Sequence, residues 1–281
     1  MIISIAAPKG GVGSSTFALL LTQERAKLSK TLLVDLSSDP ALDLYSGTAH
    51  IVPPEFNGNL KECSVELQGM GDTNLVRVSP DQLALLNLTE KANKKDLDMV
   101  LDVGRPNEQI IGFLAKEKIP LILVLTQDNA VLRAGDELLG QLRHAGVESG
   151  FIISKKEVFD PSELADLDEI FDLIEEDFYG SISWDSDLRI HMNQGKPEQV
   201  SQEIKEEVQK INRELDSALM HSLDGTHTLN QIEASEEKET LDEKEVFGEE
   251  ETLDGTEGVN KSENVLSKIK KFFQNFGKGN E

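Results

Sequence analysis

The run Ile2-Ile3-Ser4-Ile5-Ala6-Ala7-Pro8-Lys9-Gly10-Gly11-Val12-Gly13-Ser14-Ser15-Thr16 decides how this chain folds. Its first six residues are a short apolar stretch with β-branched side chains, which reads as a buried strand. Three glycines then fall within four positions, and Phe17-Ala18-Leu19-Leu20-Leu21 opens a helical pattern. Strand, Gly-rich turn and helix N-terminus in that order form a phosphate cradle. Glycine lets backbone N–H groups point inward, and the helix dipole favours an anion at that end. The usual phosphate-loop pattern ends in Gly-Lys-Ser/Thr, its lysine facing the β- and γ-phosphates. Here that position is Ser14. The cradle is present without its main cation.

Outward from this loop, helix 1 is expected from Ser14 to about Ser29, and Thr31–Asp35 is a second core strand ending in a carboxylate. A weak helix is expected at Ala41–Tyr45, mostly loop with one short helix over 46–74, a strand at Asn74–Ser79 and a helix at Pro80–Asn93. Asp98–Val103 is a third strong strand, again bearing a carboxylate, Asp102, at its end. Ile119–Thr126 and Gly150–Ser154 are further strands, with a helix at Asn129–Ala145 between them. Asp160-Pro161-Ser162 opens an expected helix Glu163–Asp172, since proline suits a first helical turn. A short strand at Tyr179–Ser183, a short helix Asp187–Asn193 and a long charged helix Glu198–His221 complete the expected domain.

Strands alternating with helices imply right-handed βαβ units and an α/β fold: a mostly parallel P-loop sheet with helices on both faces. Ligands of such sheets bind beyond the carboxyl ends of the strands. The first loop, Asp35 and Asp102 all fall at that edge, and their convergence points to a nucleotide site.

The chain has 281 residues, 38% of them hydrophobic, enough for one sizeable core and a tail. A formal charge of −24 argues against direct binding to nucleic acid, which demands a basic face. The single cysteine, Cys63, leaves no internal disulfide framework and fits a reducing cytosol. The N-terminus lacks the basic region of a signal peptide. The longest apolar stretch, Ile119–Leu125, is far shorter than the roughly 18 residues that span a bilayer. His50, His144, His191, His221 and His227 are scattered without ligand spacing, and Trp184 is expected to pack over the sheet edge.

Residues 224–258 hold thirteen acidic residues and two lysines with few bulky apolar groups, the composition of a disordered tether. The expected domains are therefore 1–222, an acidic linker over 223–262 and an amphipathic helix over 263–281. In that last segment Val265, Leu266, Ile269, Phe272, Phe273 and Phe276 share one helical face, with Lys268, Lys270 and Lys271 around the rest. Such a helix suits an anionic membrane surface. Docking on the protein's own body or in a partner's groove fits the same pattern.

Three blocks give the chain a resemblance to the MinD/ParA family of deviant-Walker P-loop ATPases, covering roughly residues 1–220. They are Lys9-Gly10-Gly11-Val12-Gly13; the strands Thr31–Asp35 and Asp98–Asp102; and Ser183-Trp184-Asp185-Ser186-Asp187 through Gly195-Lys196-Pro197. The Asp102-Val103-Gly104-Arg105 turn and the Thr126…Leu132-Arg133-Ala134 helix start are most similar to the TadZ/CpaE branch, whose members localise or assemble pilus and secretion machinery.

The resemblance implies ATP and Mg²⁺ as cofactors and a homodimer. Lys9 would reach the partner's nucleotide, Gly10, Gly11, Val12, Gly13 and Ser14 would wrap the phosphates, and Thr16 would contact the α-phosphate. Ser15 would offer its hydroxyl to Mg²⁺, and Asp35 and Asp102 would hold Mg²⁺ through water. Three positions depart from the family. Ser14 replaces the lysine, Ser37 stands where an aspartate positions the attacking water, and Ser154 stands where an asparagine often recognises adenine. Arg105 is equally a solvent-facing turn residue or a phosphate or interface contact. Phosphoryl transfer depends on positioning and charge stabilisation, so weak or no hydrolysis is expected. The resulting expectation is a cytoplasmic protein at the inner face of the cell membrane, a positioning or assembly scaffold for protein machinery the sequence does not identify. An ATPase switch cycling on the membrane is the alternative, and a DNA-partitioning ATPase is disfavoured by the charge.

Overall fold

The structure, a computed structural model, describes residues 1–37, 41–48, 56–67, 69–79, 82, 97–156, 164–184 and 186–219. Eight strands form one sheet in the order β3-β4-β2-β5-β1-β6-β7-β8. They are β1 (Ile2–Ala6), β2 (Lys30–Asp35), β3 (Val65–Glu66), β4 (Thr73–Arg77), β5 (Leu97–Gly104), β6 (Leu121–Leu125), β7 (Ser149–Lys156) and β8 (Asp177–Trp184). Every pairing is parallel except β3 with β4. The central strands read as unbroken apolar runs because helices cover both faces. Ile3, Ile5, Leu33, Val100, Leu123 and Phe151 all lie buried in one continuous core.

The topology locates the site. From the middle strand, β1, the chain first builds outward on one side through β2 and β4, and only later crosses to β6, β7 and β8 on the other. The loop after β1 therefore sits where the winding reverses, the crevice at which such sheets take ligands. Helix α1 (Ser14–Arg25) begins there. At its other end Arg25, buried, donates to Asp98 at the start of β5 (Nε to Oδ2, 3.0 Å) and to Asn212 (2.7 Å) and Asp216 (3.0 Å). That network ties the long C-terminal helix, residues 202–219, to the amino end of the sheet.

The expected strands and most helices are present, with four differences. A helix over Glu108–Glu117 occupies a stretch for which the sequence raises no expectation; its cap is Asn107, which accepts from Ile110 N at 3.0 Å. The helix expected from Glu163 begins later, at Leu167–Leu173, because Asp166 and Glu169 form a reciprocal capping box. The helix expected from Glu198 is a short 3₁₀ turn, Pro197–Gln199, followed by the helix over 202–219, at whose start Ser201 Oγ accepts from Ile204 N. The antiparallel pairing of β3 is also unannounced by its two residues. The expected helix at Pro80–Asn93, apart from Gln82, lies outside the described residues, as do the acidic linker and the C-terminal segment with Val265, Leu266, Ile269, Phe272, Phe273 and Phe276. Among the described residues no helix is long and apolar enough to cross a membrane.

Candidate functional site

The loop between β1 and α1 is held open by two glycines in the left-handed region, Gly11 (φ 79°) and Gly13 (φ 102°), the latter at the N-cap of α1. A side chain at either would strain the backbone. Beyond Gly10 and Gly11 a Cβ would meet nothing within 4 Å, so space stands free above this part of the loop. Lys9, Gly10 and Gly11 are exposed, Val12 is buried as the anchor, and Ser14 and Ser15 are half-buried on the first turn of α1. On the β6 side a pocket of about 160 Å³ runs past Lys9, Gly10, Val12, Thr126, Gln127 and Asp128.

On the other side of β1 lie the two carboxylates. Asp35 and Asp102 are register partners at the ends of β2 and β5, and both are fully buried. Asp35 Oδ1 accepts from Ser37 N (3.1 Å) and Ser37 Oγ (2.7 Å). Its Oδ2 faces Arg77 Nε and Nη2, each at 3.4 Å, and Arg77 also reaches Asp43 at 3.6 Å. Asp102 accepts from the Ser15 hydroxyl and, through Oδ1, from Gly104 N at 3.3 Å. Its Oδ2 is buried with no hydrogen-bond partner.

Burial pushes the Asp102 carboxyl up to about 7; the nearby charge of Asp35 adds to the rise, and the Ser15 and Gly104 hydrogen bonds restrain it. Burial also raises Asp35, against hydrogen bonds from Ser37 and the Arg77 charge. Two buried acids side by side, one with a spare oxygen, are poor neighbours unless a cation or proton sits between them. A divalent cation fits this donor set: Ser15 hydroxyl, the Asp102 oxygen, Asp35 beyond it, with water and phosphate oxygens completing the shell. Among the described residues no group of three or more His, Cys, Asp or Glu is placed to hold a metal by itself.

The structure thus brings Gly10–Thr16, Asp35 and Asp102 to one sheet edge, as their places in the sequence imply. It leaves Arg105 exposed in the turn after β5. Three features were not evident in the sequence. Arg77 supplies the cation nearest Asp35, because β4 pairs with β2 in a register that sets Arg77 opposite Asp35. Ser37 is engaged on Asp35, and Gly104 (φ 64°) packs so close that a Cβ would lie 3.0 Å from Ser37 Cβ. Trp184, the last residue of the edge strand, folds inward: a Cβ at Gly13 would stand 2.6 Å from its Cζ3 and 3.5 Å from Ser154 Oγ. Trp184 thus packs against the loop at that same sheet edge and forms part of its wall.

No protein-family model matches the chain, and no curated protein matches it in sequence. Solved structures match its fold. A chain of the MinC:MinD cell division protein complex of Aquifex aeolicus aligns with a TM-score of 0.67 at 16% identity, over 77% of this chain and 96% of that one. The septum site-determining protein MinD of Pyrococcus horikoshii, complexed with Mg-ADP, aligns at 0.64 and 18% identity, over 78% and 96%. A putative plasmid partition protein of Borrelia burgdorferi, bound to AMPPNP, aligns at 0.58 and 19% identity, over 77% and 98%. At these identities the likeness is one of fold: the eight-stranded, mostly parallel sheet with its helices is built like that of the MinD and partition proteins.

Proposed function

We propose that this protein binds a nucleoside triphosphate with Mg²⁺ weakly, hydrolyses it slowly or not at all, and acts as a membrane-associated positioning or assembly scaffold. One observation carries the reading: an open glycine loop at the N-terminus of α1 faces a pair of buried carboxylates, one with an unpartnered oxygen, and no lysine stands at position 14. Backbone N–H groups of Gly10–Ser14 and the α1 dipole would receive the phosphates. Ser15, Asp102 and Asp35 would hold Mg²⁺, which supplies charge neutralisation at the phosphate oxygens. Thr16, at the buried start of α1, would meet the α-phosphate, and Lys9, exposed, is free to reach a second copy's nucleotide in a homodimer. The Mg-ADP and AMPPNP held by the P. horikoshii and B. burgdorferi proteins support this choice of ligand.

Hydrolysis needs charge on the transferring group and a placed water. Ser14 gives no charge, and Ser37, hydrogen-bonded to Asp35, offers neither a base nor a free carboxylate. The scaffold reading rests on what remains after catalysis is subtracted, together with the sequence of 263–281, whose apolar face and lysines suit an anionic membrane surface. One such helix binds weakly, so dimerisation would strengthen attachment through avidity. A pilus or secretion system is the machinery suggested by the turn at Asp102–Arg105. Calorimetric titration with Mg-AMPPNP, with size-exclusion in parallel, tests the ligand and dimer. Co-sedimentation with anionic liposomes tests the membrane role, and binding unchanged by deletion of 264–281 would refute it.

A further inference from the structure

The loop has two flanks, and they differ. The carboxylates lie towards β2 and β5, so the metal-bearing end of a polyphosphate points that way. The other end of such a ligand lies on the opposite side of β1, and one way out there runs over α1 towards β7 and β8. That exit is filled. The indole of Trp184 lies against Gly13, and the space it leaves among Gly13, Thr16, Ser154, Ile182 and Leu188 is about 10 Å³, room for one water at most. Beneath it, Ser154 Oγ is buried, only 3% of the residue exposed, and has no hydrogen-bond partner. An apolar ring over an unpaired buried hydroxyl leaves a hydrogen bond to be gained by a polar group, a water or a ligand atom, that reaches that floor.

We propose that Trp184 is a gate on the nucleoside half of this site: its indole occupies the compartment that a base or ribose needs, and a nucleotide binds only in the minor state with the indole swung out. In that state Ser154 Oγ gains a partner on the ligand. The backbone beneath the ring stays fixed, because Glu207 of the helix over 202–219 accepts from both Ser183 N (2.7 Å) and Ser183 Oγ (2.8 Å). The movement is thus a side-chain rotation. A closed gate lowers apparent affinity by the fraction of molecules that are open, so ligands without a nucleoside escape the loss. The site as it stands selects for polyphosphate over nucleotide.

This rests on the phosphate-binding reading above, and the experiment separates the two. Full-length protein is titrated with Mg-tripolyphosphate and Mg-ATP by calorimetry, and emission of the chain's single tryptophan is followed in parallel. Wild type should bind tripolyphosphate at least as tightly as ATP. ATP should shift the indole emission to the red, and tripolyphosphate should leave it unchanged. Trp184→Ala should raise the ATP-to-tripolyphosphate affinity ratio at least tenfold by tightening ATP alone. Trp184→Leu keeps an apolar side chain on the strand and should move the same way if the alanine variant folds poorly. A ratio that stays within threefold or falls, or wild-type ATP binding without an emission shift, overturns the gate while leaving phosphate binding intact. Failure of both ligands to bind either protein overturns the phosphate site and the gate with it.

Discussion

Asp35 and Asp102 stand directly opposite each other across β2 and β5, both fully buried, and among the described residues only Asp35 of the two has a cation beside it. Without metal, Asp102 holds its proton to about pH 7, far above the value of about 4 it has in an unfolded chain. Between those limits the native state binds a proton that the unfolded state has released, so stability falls as pH rises from about 4 to 7. In EDTA, wild type should lose on the order of 2 kcal/mol more than Asp102→Asn between pH 5 and pH 7. Denaturant unfolding at the two pH values measures this; equal losses in both proteins would refute it.

Arg77 should matter most when Asp35 is charged. Replacing it with Met removes the guanidinium from Asp35 and Asp43, contacts of 3.4–3.6 Å on a side chain 29% exposed. Partial solvation keeps the cost to about 1 kcal/mol. The cost should shrink as the pH is lowered, because Asp35, raised by burial, takes up its proton sooner on the way down than an ordinary carboxylate does. Urea midpoints of the two proteins followed across an acid titration give the comparison.

Gly13→Ala should destabilise the fold by about 2 kcal/mol, from a positive φ and from the clash with Trp184. Adding Trp184→Ala should recover part of this, leaving the backbone strain. A double-mutant cycle should report a coupling of about 1 kcal/mol. Strict additivity would mean the indole does not rest on the loop.

Much of this was legible in the sequence because it is local. Glycine spacing, the apolar runs of β1, β2 and β5 and the carboxylates at their ends name the loop and the sheet edge without any tertiary knowledge. Arg77 and Trp184 were not legible. Arg77 earns its place from the β2–β4 register, which a lone strand does not announce, and Trp184 from its contact with Gly13 across the sheet, which links residues far apart in sequence. The helix Glu108–Glu117 had a readable signal, an Asn107 cap followed by Ile110, Ile111 and Leu114 at helical spacing. The helix Leu167–Leu173 shows the converse: Asp160-Pro161 looked like a start, but the Asp166–Glu169 capping box fixes the boundary.

Restoring charge to the loop should reveal what Ser14 removed. Ser14→Lys adds one charge-assisted contact to a bound phosphate, roughly 1.5–3 kcal/mol, or about ten- to a hundredfold in affinity. Mg-tripolyphosphate is the cleaner probe, since it avoids the indole. Unchanged affinity would place the phosphates elsewhere than on this loop.

The central claim is that the site retains phosphate and metal binding and has lost catalysis. Mg-tripolyphosphate titration of wild type and Asp102→Ala, with ATP turnover measured on the same samples, tests it most directly. Wild type should bind and Asp102→Ala should bind at least tenfold more weakly, with turnover at the no-enzyme background in both. A clear wild-type ATPase rate abolished by Asp102→Ala, or binding indifferent to that substitution, would contradict the account.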